Sequence, residues 1–236
     1  MKNHKLYFIS LIIFLFVALP KSQAQEEQGS KKAYSSTSLE IIFSLADVSA
    51  DSISISNVLR FAPVFNFQYL INKDLSKNFG LYTGLDIKNL GFIRQTQTTT
   101  GELKYKHRSY ALGLPVGLKV GNLENGTFLY LGGQIEWCFN YKQKEFQNGN
   151  KTNKFLEWNS DRVNQWQPSV FVGINLPYGT NIKFKYYFNN FLNDDYKQIA
   201  ANGDISYPYA GQNSQIFYFS LNFMMFEPVK DYKDFY

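Results

Sequence analysis

Seven charged residues interrupt otherwise apolar, alternating stretches of this chain: Glu40, Asp86, Lys88, Lys119, Glu136, Lys183 and Lys185. Each occupies the parity opposite to the large apolar residues of its own stretch, so the three acids and four lysines would share one side of whatever they form. Charges withdrawn from water are costly unless they are paired and hydrogen-bonded. The expectation is therefore a polar network of ion pairs filling an interior. A narrow gated pore lined by the same groups is the functional alternative.

Other constellations are weaker. There are two histidines, His4 and His107. His107 and Ser109 form an H-x-S pair of the kind a lipid hydrolase could use, but a Ser–His site acting on lipid would have to face the bilayer. These two share the parity of the small residues in their strand. Cys138 is the only cysteine, so no internal disulfide is possible, and no His/Cys/Asp cluster has metal-ligand spacing. No catalytic residue, metal or cofactor is expected, and the protein is not expected to be an enzyme. Two polar segments carry aromatics among charges: residues 144–162, with Phe155, Trp158 and Arg162, and residues 193–214, with Tyr196, Tyr207 and Tyr209. That mixture suits recognition surfaces or loops folded over a mouth.

The elements that must position these residues are strands. Period-two alternation recurs in eight segments, around residues 39–45, 61–71, 79–88, 110–120, 129–142, 166–176, 182–189 and 217–225, with no convincing amphipathic helix. Connections alternate long (46–60, 93–109, 143–165, 190–215) and short (72–78, 122–127, 177–181). This is the pattern of an eight-stranded antiparallel up-and-down transmembrane β-barrel, with tight turns at one end and larger loops at the other.

Alternation alone fits a soluble barrel with its apolar face inward as well. The composition of the other face separates the two. It holds Gly80, Gly84, Gly113, Gly117, Gly132 and Gly173 with Ser, Asn and Gln, too little bulk and charge for a solvated surface. An eight-stranded barrel has an interior only wide enough to be filled by side chains. The apolar face is thus expected to look out at lipid. Tyr110, Trp137, Tyr141, Trp166 and Phe188 would form one aromatic girdle, and Tyr69, Phe79, Tyr178 and Phe223 the other.

At the N-terminus, Lys2 and Lys5 precede the apolar run Leu6–Leu19, then Ser22-Gln23-Ala24. This reads as a signal peptide over 1–24, cleaved after Ala24. Residues 25–36 read as a flexible periplasmic lead-in, 37–226 as the barrel and 227–236 as a short charged tail. The full chain has 24 basic and 19 acidic residues, and three of the basic ones lie in 1–24, leaving an excess of +2. That excess supports no argument for nucleic acid, and none is expected as a partner. The chain carries 22 Phe and 17 Tyr, more than a modest soluble domain needs.

The segments FGLYTGLDIKNLGF (79–92) and YALGLPVGLKVG (110–121) resemble the PorT-like outer-membrane β-barrel domain family of Bacteroidota, in which a tyrosine-led, leucine-alternating strand with a central proline and a following lysine recurs. The resemblance covers nearly the whole mature chain and implies architecture and outer-membrane location, not an activity. A departure lies at the C-terminus, where the last strand ends near Met225-Phe226 with EPVKDYKDFY beyond it. Expected partners are outer-membrane lipid, the barrel-assembly machinery during biogenesis and an unidentified envelope protein. The expected role is structural, binding or accessory, exerted through the long loops. A narrow transport barrel is the alternative, and a lipid-modifying enzyme stands behind it. Pro115, in a barrel with no free edge, should forgo a ladder bond at a bulge or strained site.

Overall fold

The structure is a computed structural model that describes residues 33–49, 55–200 and 202–226. The expected signal peptide, residues 25–32 of the lead-in and the tail 227–236 lie outside them. In chain order the strands are β1 (Tyr34–Ser49), β2 (Ile55–Val58), β3 (Arg60–Ala62), β4 (Phe67–Asp74), β5 (Phe79–Thr98), β6 (Gly101–Asn122), β7 (Thr127–Gln147), β8 (Asn150–Trp158), β9 (Trp166–Asn175), β10 (Thr180–Asn190), β11 (Gln198–Ile199), β12 (Ile205–Ser206) and β13 (Asn213–Phe226).

Eight of them form a ring in the order β13-β10-β9-β7-β6-β5-β4-β1, closed by pairing of β1 with β13 from Thr37↔Phe226 to Ser49↔Asn213. All pairings are antiparallel between sequence neighbours, apart from that closing seam, so the ring is an up-and-down barrel. Closure removes every edge of the ring, the one arrangement in which no backbone donor or acceptor of the wall faces outward unpaired.

Five features depart from the sequence reading. The segment 61–71 is not one strand. It breaks between β3 and β4, where Phe65 takes φ +62°, and buried Asn66 patches the gap. Its side-chain amide donates to the carbonyls of Glu40 (2.9 Å) and Ala62 (2.8 Å), while its carbonyl oxygen accepts from the Asn89 backbone N–H (2.8 Å). Second, 93–109 and most of 143–165 are not loops but continuations of the wall strands. β5 and β6 run on to a turn at Thr99-Thr100, and β7 turns at Asn148-Gly149 into β8, which pairs back along it. Polar strands at the end of a barrel lose the apolar contrast by which alternation is recognised.

Third, Tyr141 belongs to the interior, not to the girdle. A register shift between Tyr110 and Ala111 leaves Phe139 as the extra residue of β7, which reverses the parity beyond it, and Tyr141 is fully buried. Fourth, Pro115 sits at neither a bulge nor a register shift. The ladder between β5 and β6 is silent from Thr83↔Val116 to Asp86↔Gly113 and resumes in the same register. Within the gap the Thr83 hydroxyl donates to the Pro115 carbonyl at 2.8 Å. The lead-in is also shorter than expected, since Tyr34, Ser35 and Ser36 pair with Asn72, Ile71 and Leu70 of β4.

Candidate functional site

Alternation sorts β6 completely between Ala111 and Val120. Ala111, Gly113, Pro115, Gly117 and Lys119 are buried, whereas Leu112, Leu114, Val116, Leu118 and Val120 are exposed, Val116 to 58%. β7, β9, β10 and β13 present Leu129, Leu131, Val170, Val172, Ile182 and Phe219 outward in the same way. A surface this apolar around a closed barrel, with charges collected inside, has lipid as its solvent. The chain is a transmembrane β-barrel. The 11 residues from Tyr110 to Val120 match the roughly 9–11 that a tilted strand needs to cross a bilayer.

The interior is stacked in layers. Next to the short turns, Lys119 on β6 donates to Asp74 (2.6 Å), to the Tyr34 hydroxyl (2.9 Å) and to Asn72 (3.2 Å). Here a cavity of about 340 Å³, lined among others by Ser36, Gln68, Asn175 and Asn181, opens at this end. Tyr82, Tyr130 and Phe171 pack together on its wall with ring centroids 6.3 Å apart in each pair. The glycines explain how they fit. A Cβ on Gly117 would lie 2.5 Å from the Tyr82 ring, and one on Gly173 would overlap the Tyr130 ring.

The middle layer is ionic. Lys88 lies 2.7 Å from Asp86, 3.4 Å from Glu136 and 4.0 Å from Glu40. Lys183 pairs with Glu40 at 2.9 Å, and Lys185 pairs with Glu136. Three lysines thus meet three carboxylates in a charge-balanced cluster. Neutral groups complete it. Gln134 donates to Asp86 (2.7 Å) and accepts from Lys88 (3.2 Å) and Lys185 (2.6 Å). The Tyr187 hydroxyl donates to Glu136 at 2.9 Å. Gly113 leaves the room that Gln134 and Asp86 occupy, because a Cβ there would overlap both. Six of the seven charged residues singled out in the sequence therefore meet in this layer, and Lys119 serves the neighbouring one. Gln134, Tyr187, Asp74 and Tyr34 were not singled out. Gln134 and Tyr187 have the interior parity, but Asp74 falls in a stretch that reads as a turn.

Above the ions the lumen is closed by a fully buried group of Leu90, Phe92, His107, Tyr141, Phe191 and Leu192. His107 stacks on Phe92 at 4.8 Å, and its Nδ1 lies 2.7 Å from the Tyr141 hydroxyl. Ser109 donates to the Tyr110 carbonyl at 3.3 Å, so neither member of the H-x-S pair faces lipid. Among the described residues no group of three or more His, Cys, Asp or Glu could hold a metal.

At the long-hairpin end, four of the six aromatic and cationic residues noted in the sequence come together. The Arg162 guanidinium lies over the rings of Phe155 (4.7 Å) and Tyr196 (4.6 Å), and Tyr196 packs on buried Tyr209 at 5.8 Å. These form a lid over the mouth. Trp158 and Tyr207 are not part of it and remain exposed.

No family model matches the sequence, and no curated protein does. Among solved structures the chain is similar to Ail, the attachment invasion locus protein of Yersinia pestis, in a complex with the heparin analogue sucrose octasulfate. The identity is 9% and the TM-score 0.38, over 82% of this chain and 99% of that one. It is also similar to the outer membrane protein OprG from Pseudomonas aeruginosa, with 10% identity and a TM-score of 0.33 over 84% and 99%. Both likenesses are loose, and the barrel rests on its own closed ladder.

Proposed function

We propose that this protein is a sealed outer-membrane barrel that acts as a binding or accessory platform of the cell envelope through its long hairpins, and that it has no enzymatic role. The observation that carries the reading is the sealed lumen. Glu136, at 0% exposure, sits within the ionic layer beneath the aromatic closure, which leaves the projecting strands as the surface free to meet a partner. β6 has 22 residues, about twice what the bilayer requires, so the hairpins stand well clear of the apolar band. The export signal read from residues 1–24 and the resemblance to PorT-like barrels both support placement in the outer membrane, with the short turns on the periplasmic side.

The test is planar-bilayer recording of the purified full mature chain. No stepwise conductance is expected at any salt concentration. Reproducible single-channel steps would replace this reading with that of a narrow pore. Crosslinking in intact outer membranes from residues near Thr99 or Asn148 is expected to capture an envelope partner from the outer side. Crosslinks formed only to periplasmic proteins would reverse the sidedness.

A further inference from the structure

The projecting hairpins sort their charges by face. Directly opposed residues of neighbouring strands share a face of the sheet, and the register sets Arg108 against Lys142, then Lys106 against Lys144 and Lys154, then Lys104 against Phe146. Two of the acids fall on the other face, where Tyr105 opposes Glu145 and buried Tyr141 opposes Glu157, while Glu102 shares the face of Lys104. Lys106 lies over the Phe146 ring at 4.9 Å and Arg108 over the Tyr110 ring at 5.0 Å, which puts the cations on the outward side. Lys104 has Glu102 at 3.3 Å. Among the described residues the other five have no carboxylate within 4 Å.

Like charges placed directly across a sheet repel. Partial burial, together with Arg108, Lys154, Lys144 and Lys151, holds the Lys142 ammonium below its ordinary pKa. A sheet that gathers five unpaired cations on one side is complementary to an anion. The position of the face indicates which one. Immediately toward the membrane lie Tyr110, Phe139, Trp158 and Trp137, with Phe139 stacked on Tyr110 and Trp158 and tilted against Trp137 at ring-centroid distances of 5.8–6.5 Å, and aromatics are enriched at bilayer interfaces. The first cation row follows Tyr110 by two residues, about 7 Å along the strand. The three rows therefore stand at the height of lipid headgroups, on the side that faces lipid rather than over the barrel mouth.

We propose that this face binds the phosphate groups of an outer-leaflet phosphorylated glycolipid, held by Arg108, Lys142, Lys106, Lys144 and Lys154. The proposal rests on the outer-membrane reading above. It assigns to the hairpins a lipid headgroup rather than a soluble polyanion, because the cations continue the lipid-facing side of the wall.

The experiment uses the full mature chain in nanodiscs containing either diphosphorylated or dephosphorylated lipid A. Retained lipid is measured by native mass spectrometry after detergent extraction. The wild type should retain the diphosphorylated form at least about tenfold better, and K106Q/K144Q/K154Q should lose about that factor. The variant should keep the heat-modifiable mobility of a folded barrel, since its substitutions lie outside the ring's interior. Equal retention of both lipids, or an unaffected variant, would overturn the proposal. So would charge-dependent binding of soluble dextran sulfate without any preference between the two lipids. A wild-type chain that fractionates away from outer membranes would instead refute the outer-membrane reading.

Discussion

Glu136 accepts hydrogen bonds from Lys185 and Tyr187 and lies within reach of Lys88, so its removal leaves the buried Lys185 ammonium with Gln134 as its remaining partner and no carboxylate, while Lys88 keeps Asp86. Breaking one partner from a buried ion cluster costs about 3–5 kcal/mol. Glu136→Ala is expected to destabilise the barrel by that amount in urea titrations of the heat-modifiable band. Asp86→Ala should cost less, because Lys88 keeps Glu136 and Glu40 nearby. Replacing Lys185 by Met in the Glu136→Gln background should recover part of the loss, since the pair disappears together and the remaining charges balance. Additive losses in the double variant would show that the two residues do not interact. Gly117→Val tests packing instead. Its side chain would collide with the Tyr82 ring, and overpacking of this kind costs about 1–3 kcal/mol.

At the scale of elements, the break between β3 and β4 depends on one side chain. Asn66 completes bonds that strand pairing cannot make there, because the chain takes a positive φ at Phe65. Asn66→Ala leaves the carbonyls of Glu40 and Ala62 and the Asn89 N–H without these partners. It should destabilise the barrel by about 1–3 kcal/mol. The projecting hairpins should be separable from the wall. Shortening β5 and β6 by removing residues 96–103 should leave folding yield and heat-modifiable mobility unchanged, because the ring is complete below them. Loss of the folded band in that deletion would make the hairpin part of the folding unit. The hairpins read as loops in the sequence because polar residues occupy both of their faces, Lys and Gln on one and Thr, Gln and Glu on the other, so period two has no apolar marker to reveal it.

For the whole molecule, the decisive contact is the seam between β1 and β13, which joins residues almost 190 positions apart. No local signal specifies it. Ile41 and Leu221 are register partners there. The double variant I41C/L221C, in a Cys138→Ala background, should form a disulfide on oxidation in the folded protein. It should then keep its compact mobility after boiling. Failure to crosslink while the barrel stays folded would mean a different closing register.

Much of this was open to reading from residue order alone. Alternation with glycines on one face and leucine or valine on the other decided strand content, barrel class and which face meets lipid, because side-chain parity is a local property of the extended chain. The same parity placed Glu40, Asp86, Lys88, Glu136, Lys183 and Lys185 inside. Tertiary structure alone decided which carboxylate each lysine reaches, since partners such as Lys185 and Glu136 come from strands β10 and β7, separated by β9. It also decided that Tyr141 turns inward, through an extra residue at Phe139, and that Pro115 occupies a silent stretch of ladder without a bulge. Both depend on how neighbouring strands are registered, and register is a relation between strands that no single segment encodes.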